Sequence, residues 1–164
     1  MPARKLTAFA LAYALLVSVC LGQGPFDFDK AEYLKPAGAG EKKDGKKAEK
    51  KGETIEGILR FDSAKKDLQF VGKKGPAPVL SVKYEAIKSM LYEKTAKPRY
   101  GAGLLLAWPL LFTKSKKHYL TIQYTDADGT AQFAIIHLDK TNFREALARA
   151  ESETGKKVER SEEH

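Results

Sequence analysis

Two runs in the C-terminal third restrict this chain more than any other feature. His118 to Thr125 (HYLTIQYT) and Thr130 to Leu138 (TAQFAIIHL) are dense in β-branched and aromatic residues, with Asp126-Ala127-Asp128-Gly129 between them. Such residues suit the pleated, half-buried surface of a strand, and Gly129 can take the positive φ of a tight connection. The spacing predicts a β-hairpin. A four-residue loop pairs Thr125 with Thr130 and His118 with His137, while a two-residue Asp128-Gly129 turn shifts the pairing by two. In either register Leu120, Ile122 and Tyr124 share the core face with Phe133 and Ile135.

The segment upstream carries the same two-residue period. Ile55, Gly57, Leu59 and Phe61 alternate with Thr54, Glu56, Ile58 and Arg60, which predicts a strand. Asp62 to Asp67 reads as a turn, Leu68 to Val71 as a second strand, and Gly72 to Pro78 as a loop. Val79 to Tyr84 and Ile87 to Lys94 read as third and fourth strands, with helix an alternative for 85–93. After the hairpin, Asp139 is the expected cap of a helix from about Lys140 to Thr154. Phe143, Ala146, Leu147 and Ala150 form its apolar stripe, and Gly155 is its expected stop.

About six antiparallel strands closed by one C-terminal helix make a mainly β domain, a β-rich α+β fold. That plan resembles the pleckstrin-homology-like (PH-like) barrel of small exported bacterial proteins, most closely in ETIEGILRFD, AIKSMLYEK and the stretch from His118 to Val158. The resemblance covers residues 53–158 and implies an antiparallel barrel or sandwich of about six to seven strands that acts as a binding module. It further implies that a seventh strand lies within 95–117. The first turn offers Lys65 and Lys66 but not the basic pattern of phosphoinositide-binding members.

The N-terminal end is of another kind. Arg4 and Lys5 precede the apolar run Leu6 to Leu21, which is the order of an export signal. Cleavage after Gly22 gives a signal peptide of 1–22 and a mature chain starting at Gln23. An uncleaved anchor and a lipoprotein acylated at Cys20 are the alternatives, the first with Gly22 to Pro25 as a poor helix end in lipid. The expected location is therefore periplasmic or secreted, or tethered to the membrane. Cys20 is the only cysteine, so cleavage leaves no thiol for a disulfide, a nucleophile or a thiolate metal site.

Residues 23–52 read as a flexible spacer, because 41–52 holds six lysines and Lys35-Pro36-Ala37-Gly38-Ala39-Gly40 breaks regular structure. Lysine pairs of this kind can also touch anionic headgroups or cell-wall polymers. The tail 159–164 is polar and expected to fray. The whole chain carries 29 basic and 21 acidic residues, a net charge of +8 that bears on partners and not on fold.

Residues 100–113 (YGAGLLLAWPLLFT) hold no charge and are bracketed by Lys94, Lys97 and Arg99 on one side and Lys114, Lys116 and Lys117 on the other. Its large side chains are Leu104, Leu105, Leu106, Trp108, Leu110, Leu111 and Phe112, whose burial is worth on the order of 10–20 kcal/mol. Fourteen helical residues reach only about 21 Å, short of a bilayer core, and Pro109 interrupts them. Three fates answer the need for cover. One is burial in the barrel or across its open end. Another is a wedge in the membrane interface with Trp108 at headgroup depth and the flanking lysines on phosphates. The last is a groove on a partner protein.

Little else suggests chemistry. His118 and His137, if paired on one face, supply two metal ligands where a zinc site wants at least three. Reading Asp126-Ala127-Asp128-Gly129 as a calcium loop puts Tyr124 and Ile135 at ligand positions, so a hairpin turn is the better reading. Paired carboxylates, a nucleophile elbow and a phosphate-cradling glycine loop are not found in the sequence, so neither catalytic, metal nor cofactor residues are assigned. The expectation is a non-enzymatic envelope protein that binds a membrane surface or an envelope partner and not nucleic acid. A small ligand-binding barrel or enzyme, and a structural envelope protein, are the alternatives. The oligomeric state is left open.

Overall fold

A computed structural model of the chain describes residues 24–35, 53–95 and 116–161. In chain order the strands are β1 (Phe26–Lys35), β2 (Glu53–Asp62), β3 (Asp67–Gly72), β4 (Pro78–Lys83), β5 (Ile87–Thr95), β6 (Lys117–Thr125), β7 (Ala131–Leu138) and β8 (Val158–Ser161), with helix α1 (Phe143–Thr154) between the last two. They form one eight-stranded sheet in the order β4-β3-β2-β1-β7-β6-β5-β8. Every ladder is antiparallel except β5–β8. The expected mainly β fold with one C-terminal helix is what is observed.

The sheet has to curl. β4 and β5 are six strand positions apart, about 29 Å if flat. Yet only the 3-10 turn Tyr84–Ala86 joins them, a reach of about 14 Å. Rolled up, one face encloses a core drawn from all eight strands and the helix, including Phe28, Leu59, Phe70, Val82, Met90, Ile122, Ile136, Leu147 and Val158. The β2 alternation holds as expected, with Gly57, Leu59 and Phe61 buried. Ala146, Leu147 and Ala150 bury the helix stripe, Phe143 packs at its edge, and Gly155 ends the helix in the left-handed region at φ 66°.

Four expectations are corrected. Residues 26–35 are not spacer but β1, the strand that pairs with both β2 and β7 and so joins two meanders into one sheet. Its inward residues are Phe28, then Ala31 and Tyr33, because a bulge between Phe28 and Ala31, with Lys30 at φ 55°, resets the alternation. Second, part of the polar tail is β8, anchored by buried Val158 opposite Met90. Third, α1 begins at Phe143, because Asp139 turns its carboxylate to Thr141 instead of to the helix.

The fourth concerns the hairpin. Its loop has five residues, and Thr125 pairs with Ala131. Asp126 explains the longer loop: its carboxylate accepts the backbone N–H of Asp128 and Thr130 at 3.0 and 2.8 Å and the Gln132 amide at 3.0 Å. A one-residue change of register exchanges faces. Leu120 and Ile122 therefore meet Ile136 and Ala134 in the core, whereas Ile135 joins Leu34 and Tyr119 in a small cluster on the opposite face.

Candidate binding surface

The register also separates the two histidines. His118 pairs with Leu138 and faces inward, whereas His137 pairs with Tyr119 and faces outward. His137 Nδ1 lies 3.2 Å from Glu32, whose carboxylate is also 3.7 Å from the Lys117 ammonium. The expected shared face for the imidazoles is thus corrected. Among the described residues no group of three or more His, Cys, Asp or Glu side chains gathers as a metal cradle.

The residues the sequence singled out for contact divide into two sets. Leu104, Leu105, Leu106, Trp108, Leu110, Leu111, Phe112 and Lys114 lie outside the described residues. Lys116 and Lys117 lie within them, at the start of β6, where Lys117 pairs with Thr95 as the last rung of β5–β6. That rung is where the described residues stop before the stretch 96–115, which contains the apolar segment, and it is closed by the residues that follow. No helix among the described residues is long and apolar enough to cross a membrane.

At the same end of the sheet, the inward face closes in an aromatic stack. The His118 ring lies on Phe143 with centroids 3.9 Å apart, and Tyr92 stacks on Phe143 at 5.7 Å. The Tyr92 hydroxyl is 2.7 Å from His118 Nδ1. Burial raises the Tyr92 pKa, keeping the phenol protonated, and burial together with the Lys94 charge lowers that of His118. A protonated phenol beside a neutral imidazole donates to Nδ1, which leaves the proton of the ring on Nε2.

Three cations border this stack, one from each of three elements. Lys94 is the cross-strand partner of His118, Arg160 on β8 is the partner of Tyr92, and the Arg144 guanidinium sits 5.7 Å from the Phe143 centroid. Two-residue alternation puts Lys94 and Arg160 on the inward side with Tyr92, Met90 and Val158. None of the three forms an ion pair among the described residues. Asp139, the acid whose field reaches His118, holds its carboxylate on Thr141. Sequence reasoning missed this group because Arg160 belongs to a segment read as frayed tail and Arg144 lies outside the helix's apolar stripe.

Elsewhere, a concavity of about 540 Å³ lies at the β3–β4 loop, lined by Ile55, Gly72, Lys73, Lys74, Gly75 and Val79. Its Lys73 is held by Glu56 at 2.7 Å. Compared with known proteins, the chain matches no family model and no curated sequence.

Proposed function

We propose that this chain is a non-enzymatic exported envelope protein whose PH-like β domain is a binding module, held at a membrane surface by residues 100–113. The observation that carries the reading is the rung that bounds that uncharged segment. Twenty-one residues, 96–116, separate Thr95 from Lys117; Lys94 and Lys116 flank that rung in the sequence, and Arg160 stands opposite Tyr92, which lies on the same strand as Lys94. An uncharged apolar segment whose bounding rung is flanked by cations suits the interface of an anionic bilayer, where each basic residue near the surface contributes about 1 kcal/mol. The PH-like part of the reading is supported by the strand plan. Seven antiparallel strands run as two meanders, β1–β4 and β5–β7, with a helix after the last. The further strand that the resemblance implies within 95–117 falls mostly outside the described residues, while β1 is a strand that the sequence reading did not count.

Liposome flotation tests the proposal. The chain as the cell processes it is expected to float with vesicles containing phosphatidylglycerol. Replacing Leu105 and Trp108 by Ser is expected to abolish flotation and leave the circular dichroism unchanged. Unfolding of that variant would mean the segment is core. Unchanged flotation would remove the segment from the membrane contact.

A further inference from the structure

Three positive side chains, from β5, β8 and α1, are gathered at one mouth of the curled sheet. Like charges at close quarters repel, and a fold that keeps them together, with none of the three ion-paired among the described residues and Asp139 the acid whose field reaches His118, leaves a site of positive potential. An ordinary solvated surface intersperses both signs. The nearest arrangement of that kind is on the outer face, where Lys117 and His137 share Glu32. The mouth differs in a further respect. The Tyr92–His118 hydrogen bond fixes the imidazole tautomer, so that Nε2–H is a directed donor with no hydrogen-bond acceptor among the described residues. Phe143 holds the ring in place from below.

We propose that this mouth binds a phosphate-type oxyanion, with Lys94, Arg144 and Arg160 supplying the charge and His118 Nε2–H the directed hydrogen bond. The two arginines suit a tetrahedral oxyanion because each guanidinium presents a planar fork of donors. The phosphate can belong to a lipid headgroup or to a soluble ester. The inference deepens the membrane-surface reading and rests on it for the lipid source, since the mouth borders the rung that bounds the stretch holding residues 100–113.

The probe is sn-glycerol 3-phosphate, followed through the His118 ring signals by NMR in the chain as the cell processes it. Saturable displacement of those signals and a raised His118 titration midpoint are the expected results. Arg144→Gln combined with Arg160→Gln is expected to weaken binding about tenfold or more, with unchanged circular dichroism. Should that double variant misfold, Lys94→Gln alone gives the same reading at smaller amplitude. Glycerol phosphate that leaves His118 unmoved, or binds the variants as tightly as the parent, overturns the proposal. Flotation keeps the two readings apart. Headgroup binding without flotation upholds the oxyanion site with a soluble source and removes the membrane reading. Flotation that is equal in parent and Arg variants, with no phosphate effect on His118, removes the site and leaves the membrane reading intact.

Discussion

Phe28→Ala is the sharpest test of the architecture, because it distinguishes a bridging β1 from a spacer. Phe28 is 6% exposed, and its ring meets Phe61 edge-on with centroids 5.9 Å apart. Truncating a buried phenylalanine costs about 3–5 kcal/mol, the lost transfer energy plus the cavity left behind. The upper half of that range is expected here. Phe61 is fully buried and the bulge after Phe28 pins the backbone, so neither side collapses easily into the void. With a urea dependence of about 1.5 kcal/mol per molar for a domain of this size, the unfolding midpoint should drop by about 3 M. Set against a total stability of about 5–15 kcal/mol, that is a large share. Urea titration followed by far-UV circular dichroism measures it, with Asp29→Ala, an exposed position in the bulge, as the control. A midpoint unchanged within about 0.3 M would refute the bridging role, since a residue in a solvated spacer has no burial to lose.

Two further outcomes follow from the same geometry. Gly57→Ala should destabilise by about 3 kcal/mol or more, because a Cβ there collides with the Val71 carbonyl oxygen and comes within 2.8 Å of the Phe70 ring; a thermal melt within 2 °C of the parent would contradict this packing. Burial lowers the pKa of both His118 and His137, so below about 6.5 the unfolded chain binds protons that the folded one resists. Stability is therefore complete above that pH and declines as pH falls toward the depressed folded values. Melting temperature should drop between pH 7.5 and 5.5, the drop should shrink in His118→Phe, and a flat profile in the parent would refute the burial argument.

How much of this was legible depended on whether the two-residue period ran unbroken. β2 could be read residue by residue because Gly57, Leu59 and Phe61 alternate without a fault. β1 could not, because Phe26 and Phe28 set one phase and Ala31 and Tyr33 the other, with Asp29 and Lys30 bulged between. A reader who allows one bulge recovers it; strict alternation discards it into the lysine-rich stretch that follows. The hairpin was found and its register missed for a different reason. The loop length is decided by the Asp126 carboxylate and its three N–H donors, a side-chain effect that counting turn residues does not capture. β8 was missed because four residues with one apolar member carry no period at all; only the seat beside Met90 makes Val158 a strand residue.

Those two missed strands matter for more than bookkeeping of the sheet. Without β1 the two meanders share no ladder, and β2 and β7 would each expose an edge to pairing with other chains. Without β8, Arg160 has no reason to stand beside Tyr92, and the mouth loses one of its three cations. The two histidines, weighed in the sequence as a metal pair, stand on separate faces, and the Asp-rich turn serves a loop. The cations of the proposed oxyanion site are spread over β5, α1 and β8, at positions individually indistinguishable from solvated surface. Topology brings them together: the parallel β5–β8 ladder sets Arg160 beside Tyr92, on the strand that carries Lys94. A chain with a net charge of +8 has basic residues to place anywhere, and this fold sets three of them, none ion-paired among the described residues, around the stack of Tyr92, His118 and Phe143.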